Sequence, residues 1–166
     1  PGLKLLPPHH GQYREMSRAV NAIYARYTDR IEPFGIDESW LDMTQTWRLF
    51  GSSPAGVADA VRRAVKAETG LTISVGVSFN KVFAKLGSDL KKPDATTVIT
   101  RENFRDKVWP LPVTDLLFVG RASSQVLGQY GVRTIGDLAA FGREPLTELL
   151  GKMGGQLYDY AAGLEH

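Results

Sequence analysis

The 166-residue sequence contains no cysteine. This absence excludes disulfides, thiolate zinc sites and cysteine nucleophiles. Histidine is also scarce, because the chain has only three. His9 and His10 are adjacent and point in opposite directions in an extended chain, while His166 ends a Leu-Glu-His sequence that resembles the remainder of a purification tag. A histidine-based metal site or catalytic triad is therefore not expected.

Long apolar runs and a strong charge of one sign are missing as well. No stretch approaches the roughly 18 apolar residues that a membrane span requires, and no signal peptide is recognisable, so we predict a cytoplasmic protein. The formal net charge of +2 does not identify a partner. Its distribution is more informative, because residues 81–92 hold four lysines and one aspartate.

The first two thirds of the sequence mix helical and strand patterns. Apolar spacing predicts helices at 13–27, 52–69 and 80–90 and strands at 31–36, 40–44, 71–78 and 97–99. This order resembles a split βαβ, ferredoxin-like sheet. Its opening strand would precede Pro1, where the chain starts without an initiator methionine, so we expect a fragment of a longer protein.

The last third has a different pattern. After Pro110 and Pro112 the sequence predicts short helices separated by glycines, at 114–117, 122–130, 134–141, 145–150 and 156–162. The predicted fold class is therefore α+β, with a ferredoxin-like domain at 1–109 that lacks its first strand and a small all-helical domain at 110–166.

Two adjacent carboxylates, Asp37 and Glu38, lie where one predicted strand ends and the next begins. Two acidic groups held close together repel each other unless a cation lies between them, and oxygen ligands of this kind favour Mg²⁺. A pair of such ions can stabilise the attacking and leaving oxygens of a phosphoryl transfer. A polar hairpin turn with solvated charges is the alternative. We expect Asp42, on the second strand, to make a structural hydrogen bond instead.

Two further motifs contain residues suited to phosphate binding. Lys92 directly precedes Pro93 at the predicted end of a helix, where its ammonium could reach a polyphosphate, although a solvated helix face is the alternative. The sequence "DLLFVGRASSQVLGQYGVRTIGDL" predicts a tight turn at Val119 and Gly120 before a second helix, which is typical of a helix-hairpin-helix. A plain helical hairpin without a ligand remains possible.

Three sequences in order, "GIDESWLDMT", "SVGVSFNKVFAKLGSDLKKPD" and "LLFVGRASSQVLGQYGVRTIGDLA", resemble the Y-family translesion DNA polymerases of the DNA polymerase IV type. Together they cover nearly the whole chain. The resemblance implies that residues up to Trp109 are most of the palm domain and that the following residues are the thumb. It also implies a function in DNA repair and damage tolerance, by addition of dNTPs to a primer 3′-hydroxyl on a DNA template.

The resemblance implies a role for each matching residue. Asp37 and Glu38 would be the catalytic residues that hold two Mg²⁺ ions, and Lys92 would contact the triphosphate of the incoming dNTP. The residues expected to bind a primer-strand phosphate are Val119, Gly120, Arg121 and Ser123. Primer-template DNA and dNTP are thus the implied partners, and a sliding clamp remains open as a partner for regions outside this chain.

The sequence departs from the family pattern in three ways, of which Gly128 within the second helix of the hairpin motif is the mildest. Phe118 occupies the place of the first glycine of a Gly-x-Gly hairpin, where a positive φ would be unfavourable for a bulky residue. The family's first metal-binding aspartate would also precede Pro1, so we expect the 166-residue chain to be unable to polymerise by itself. A nucleotide cyclase and a non-catalytic DNA-binding module are the alternative functions, but a cyclase would not explain the helix-hairpin-helix.

Overall fold

The computed structural model describes residues 2–165 and divides between Ile73 and Ser74 into two compact units. Both contain helices and a small sheet, so the mixed α/β class is confirmed. The predicted domains 1–109 and 110–166 stay a prediction, as does the ferredoxin-like arrangement. Within residues 2–165, no helix is long and apolar enough to cross a bilayer.

The first unit contains two helices and one hairpin. Its elements are α1 (His10–Tyr24), β1 (Ile31–Pro33), β2 (Ser39–Leu41), a 3-10 turn at Trp47–Leu49, and α2 (Pro54–Thr69). Strands β1 and β2 pair antiparallel, with Ile31 opposite Leu41. Helices α1 and α2 enclose a small core in which Ile23, Val61 and Val65 are buried.

Helix α2 has clear sequence signals at both ends. The Ser53 side chain accepts a hydrogen bond from the Gly56 amide at 3.0 Å, and Pro54 occupies the first helical position, where no amide is needed. Gly70 ends the helix with a φ of +74°, which glycine adopts without a steric penalty. The predicted helix at 52–69 is thus confirmed to within two residues.

The second unit begins with a parallel strand pair around a helix and continues as a set of short helices. Its elements are β3 (Val75–Ser78), α3 (Lys81–Leu90), β4 (Thr96–Ile99), α4 (Phe104–Val108), a 3-10 turn at Val113–Asp115, α5 (Arg121–Gln129), α6 (Ile135–Phe141), α7 (Arg143–Leu150) and α8 (Lys152–Ala161). Strands β3 and β4 are parallel, with Val75 opposite Thr96.

Close backbone packing joins β3 to α3. A Cβ atom added at Gly76 would lie 1.8 Å from the Ala84 carbonyl oxygen, and one added at Gly87 would lie 3.2 Å from the Gly76 Cα. Only glycine at position 76 permits this approach. The N-terminus of α3 is fixed by Asn80, whose side-chain oxygen accepts a hydrogen bond from the Phe83 amide at 2.8 Å.

One continuous hydrophobic core runs through the second unit from α3 to α8. Its largest fully buried side chains are Phe83, Ile99, Val108, Leu127, Ile135, Leu138, Leu146 and Leu157. The Trp109 indole Nε1 donates to the Ala161 carbonyl oxygen at 2.9 Å and so ties the segment after α4 to the end of α8. The strand pair and the helices of this unit therefore share their interior.

Several predicted boundaries were wrong. The strand predicted at 31–36 ends at Pro33, because residues 34–38 form the hairpin turn. The strand predicted at 40–44 is Ser39–Leu41, and after it the Thr44 amide donates to the Asp42 side chain. The strand predicted at 71–78 begins only at Val75. The helix predicted at 114–117 is a single 3-10 turn at 113–115, and the helix predicted at 156–162 already begins at Lys152.

Candidate functional site

Asp37 and Glu38 lie in the turn of the β1–β2 hairpin, as the sequence predicts. The turn is closed by the Phe34 amide, which donates to the Glu38 carbonyl oxygen at 2.8 Å, and Gly35 has a φ of +82°. Asp37 is exposed and Glu38 is half-buried. The adjacent acidic side chains are thus presented at the tip of a short, hydrogen-bonded hairpin.

The base of the same turn is apolar. The rings of Phe34 and Trp40 contact each other across the two strands with a centroid distance of 4.9 Å, and Ile36 precedes the acidic pair. Such cross-strand aromatic contacts stabilise a hairpin by a few tenths to about 1 kcal/mol. The hairpin that carries the carboxylates is therefore stabilised by a local aromatic contact.

Asp42 lies just after β2 and makes structural hydrogen bonds, as the sequence predicts. Its Oδ1 accepts the Thr44 amide at 3.0 Å and its Oδ2 accepts an Arg30 guanidinium hydrogen at 3.3 Å. The hydrogen bonds from Thr44, followed by those of Arg30, hold the pKa of the Asp42 carboxyl below its usual range. The carboxylate is thus engaged within the hairpin, apart from the acidic pair.

The carboxylate pair consists of hard oxygen donors, the ligand type that divalent cations take in proteins. Its chemistry fits Mg²⁺, which binds through one or two carboxylates together with substrate phosphates. Within residues 2–165, no group of three or more histidine, cysteine or acidic side chains could hold a metal ion. A two-carboxylate set therefore requires further oxygen ligands from a substrate or from elsewhere.

Lys92, in the second unit, lies just beyond the end of α3 and is paired. Its Nζ lies 2.9 Å from Asp89 Oδ1, and Lys85 Nζ contacts the other oxygen of Asp89 at 3.0 Å. Burial raises the pKa of Asp89, but the hydrogen bonds from Lys92 and Lys85 outweigh it and the pKa is lowered. The Lys92 side chain remains 56% exposed.

Asp89, which contacts both Lys85 and Lys92, is a partner of these lysines that the sequence interpretation missed. Its spacing contained the signal, because Lys85 precedes it by four residues and Lys92 follows it by three. Both spacings bring side chains together along a helix. The lysine stripe of α3 is therefore partly neutralised by an acid on the same helix.

The predicted hairpin before α5 is present, although its first helix is only the 3-10 turn at Val113–Asp115. The Val119 amide donates to the Leu116 carbonyl oxygen at 3.1 Å, and Val119 itself is buried. The Ser124 amide donates to the Gly120 carbonyl oxygen at 3.0 Å, which leaves the amides of residues 121–123 without an acceptor inside the helix.

First-turn amides of this kind are groups to which an anion can bind. Together with the helix dipole they favour a negative charge near Gly120, and the exposed Arg121 adds a positive one. Ser123 is half-buried on the same turn. The residues predicted to bind a phosphate, Val119, Gly120, Arg121 and Ser123, thus lie within five positions that include the first turn of α5.

Phe118 has the backbone conformation that its glycine-like position predicts. Its φ is +69°, which costs a residue with a Cβ atom about 1–2 kcal/mol relative to glycine. The ring is 53% exposed, and its centroid lies 6.1 Å from that of Tyr160 on α8. The strained turn therefore carries a large aromatic side chain.

A family model described as the impB/mucB/samB family matches residues 1–89. A DNA polymerase IV of Acetivibrio thermocellus is 48% identical over 165 residues, covering 99% of this chain and 41% of the relative. DNA polymerase IV 1 of Bacillus subtilis is 39% identical over 166 residues, and the chain covers 40% of it. The chain thus spans about two fifths of the length of these relatives.

Solved structures agree with the fold. DinB from Sulfolobus solfataricus superposes with a TM-score of 0.84 at 23% identity, covering 96% of this chain and 47% of that protein. An insertion ternary complex of Dbh DNA polymerase gives a TM-score of 0.85 at 22% identity, covering 97% of this chain and 47% of that one. At these identities the likeness shows a shared fold.

Proposed function

We propose, because the chain belongs to the impB/mucB/samB family of Y-family polymerases, that it is the palm and thumb part of a translesion DNA polymerase. The observation that carries the proposal is the 48% identity with a DNA polymerase IV over 165 residues. In this proposal residues 1–109 belong to the palm and residues 110–166 to the thumb. The full-length protein would act in the cytoplasm on primer-template DNA and dNTPs.

The reaction would be the attack of the primer 3′-oxygen on the α-phosphate of a dNTP, with pyrophosphate as the leaving group. Two bound Mg²⁺ ions would supply activation of the primer hydroxyl and stabilisation of the developing charge. Asp37 and Glu38 are the residues proposed to hold them. Exposure of Asp37 at the hairpin tip supports this assignment, because the carboxylate is accessible to a cation and a substrate phosphate.

The other proposed residues bind and position the substrates. Lys92 would contribute a point charge to the triphosphate, since an exposed ammonium next to the end of α3 can change its partner. The amides after Gly120 would hold a phosphate of the primer strand, and Arg121 would add a charge-assisted contact. Such contacts position DNA without reading its sequence.

The test of the acidic pair is primer extension by the full-length protein. The reaction contains an undamaged template, Mg²⁺ and all four dNTPs, and compares the wild type with Asp37→Ala and Glu38→Ala. We expect both changes to reduce extension by about a hundredfold or more while DNA affinity is retained, because loss of a metal ligand affects the chemical step.

Asp29→Ala is the matched control for this experiment. Asp29 is an exposed aspartate that precedes the same hairpin, so its removal tests whether any lost acidic charge near β1 reduces extension. The control should extend primers as the wild type does. Normal extension by the Asp37 and Glu38 variants would show that the pair is only a solvated part of the turn. A wild type that binds DNA without extending primers would instead favour a non-catalytic DNA-binding module.

A further inference from the structure

Phe118 is an exposed aromatic residue in a backbone conformation that favours glycine. Two non-glycine residues within 2–165 have a positive φ, Phe118 and Asp94. Aspartate tolerates this region through its short polar side chain, whereas a bulky residue there is an outlier. Because half of the Phe118 ring is exposed, core packing alone does not account for an aromatic residue at this position.

The ring is supported on one side. It packs at a tilt of 33° against Tyr160, which is only 4% exposed. The Tyr160 hydroxyl in turn accepts a hydrogen bond from Gln156 Nε2 at 2.6 Å. A buried, hydrogen-bonded tyrosine thus holds Phe118 from beneath, while the remaining ring surface is presented to solvent next to the turn.

The position of the ring along the chain relates it to the phosphate-binding turn. Phe118 precedes Gly120 by two residues, a separation that spans at most about 7 Å. The ring therefore belongs to a residue that adjoins the amides opening α5. Any strand whose phosphate binds these amides brings a neighbouring sugar or base close to Phe118.

We propose that Phe118 packs against a deoxyribose of the bound primer strand, beside the phosphate at the N-terminus of α5. This inference rests on the proposed function. A phosphate is charged and does not favour an apolar ring, and bases in a duplex are stacked on each other, so contact with them requires costly unstacking. The sugar is the remaining group within reach and offers carbon-bound hydrogens to the ring.

The contact discriminates between DNA and RNA at that nucleotide. A ribose would place its 2′-hydroxyl, a hydrogen-bond donor and acceptor, near an aromatic ring that offers no hydrogen-bonding partner of comparable strength. Phe118 is thus a specificity-determining residue for the sugar of the primer strand. Glycine at the same position would keep the turn and lose this discrimination.

The first measurement is the affinity of the 166-residue chain for a fluorescent primer-template DNA at low salt, by anisotropy. Phe118→Gly should weaken binding about three- to tenfold, the range of an aromatic contact with one nucleotide. The control is Tyr130→Ala, which removes a ring of similar exposure, 57%, from the far end of α5 and should change affinity less than about twofold. Circular dichroism melting confirms that both variants are folded.

The second measurement replaces one deoxyribonucleotide of the primer at a time with a ribonucleotide. The wild type should lose affinity at one position more than at its neighbours, and Phe118→Gly should remove that difference. Affinity unchanged by Phe118→Gly, or a ribonucleotide profile equal in the two proteins, overturns the sugar contact while DNA binding still supports the proposed function. A wild-type chain without DNA affinity overturns the sugar contact and the DNA-binding role proposed for the turn before α5, whereas the proposed function is tested separately by primer extension with the full-length protein.

Discussion

At the scale of single residues, Phe118 shows a conflict between backbone and side chain. Its φ of +69° favours glycine, while its ring contacts Tyr160 and remains half exposed. The left-handed conformation strains any residue that has a Cβ atom. Substitution by glycine relieves this strain, and substitution by alanine does not, although both remove the same ring.

The two substitutions therefore separate strain from packing. We expect Phe118→Gly to be more stable than Phe118→Ala by about 1 kcal/mol, the strain of the Cβ atom less the greater flexibility of unfolded glycine. Urea unfolding of the two variants at equal protein concentration measures this difference. An alanine variant as stable as the glycine variant would contradict the strained turn.

At the scale of elements, a capping box fixes the start of α6. The Thr134 side chain accepts the Asp137 amide at 3.0 Å, and Asp137 Oδ2 accepts the amides of Thr134 and Arg133, each at 3.0 Å. The Arg133 and Thr134 amides hold the pKa of Asp137 below its usual range. Because the folded-state pKa is lowered, the stabilisation is complete above the unfolded pKa of about 4 and is lost as pH falls through the folded pKa.

The pH dependence of stability checks this cap. Between pH 6 and about pH 3, the wild type should lose more stability than Asp137→Asn does, since asparagine does not titrate. The measurement is the urea unfolding free energy of both proteins across this range. Thr134→Ala, which removes the other half of the box, should cost about 1 kcal/mol at pH 7. Parallel pH curves for wild type and Asp137→Asn would count against the carboxylate's role.

The contact between α7 and α8 depends on one glycine. A Cβ atom added at Gly154 would lie 1.9 Å from the Leu146 carbonyl oxygen, so the two helices must separate to accept it. Gly128 on α5 has open space around it. We expect Gly154→Ala to destabilise the chain by at least about 2 kcal/mol and Gly128→Ala to stabilise it by up to about 1 kcal/mol.

Thermal unfolding of the two glycine variants tests this pair directly. Both changes add one methyl group to a glycine within a helix, so helix propensity favours both equally. The melting temperatures should move in opposite directions. A Gly154→Ala variant that melts at or above the wild type would show that α7 and α8 are packed less closely than described.

Elements with local end signals were predictable from the sequence. Ser53 with Pro54 and Gly70 gave α2 its ends, and Asn80 marked the start of α3. Helix α4 was not predicted, because its five residues carry no periodic signal. It is stabilised by tertiary contacts of Phe104 with the rings of Phe79, Phe83 and Trp109.

The candidate site was predictable where its functional residues are adjacent in the sequence. The acidic pair, Asp37 and Glu38, was expected at the hairpin turn and lies there. The start of α8 at Lys152 was missed, because glycines were interpreted as separators between helices. Gly154 instead lies within α8, where the close approach of α7 requires a residue without a side chain. Packing against the preceding helix, α7, determines that position, and the sequence pattern of α8 alone does not contain it.

At the scale of the whole molecule, the 166-residue chain supplies two adjacent carboxylates and spans 41% of a DNA polymerase IV. We expect that the purified chain alone adds no nucleotide to a primer with Mg²⁺ and all four dNTPs, because two carboxylates are an incomplete ligand set for two ions. The full-length protein, under the same conditions, is the positive control. Templated addition by the isolated chain would contradict this expectation.

The ion pairs around Asp89 affect how Lys92 could bind a nucleotide. Asp89 contacts Lys92 through one oxygen and Lys85 through the other. If Lys92 turns toward a triphosphate, Lys85 still neutralises Asp89, so no carboxylate is left without a counter-ion. Asp89 would then be an intramolecular competitor of the nucleotide. The free energy that Lys92 contributes to nucleotide binding would then be the free energy of its ion pair with the triphosphate less that of its ion pair with Asp89.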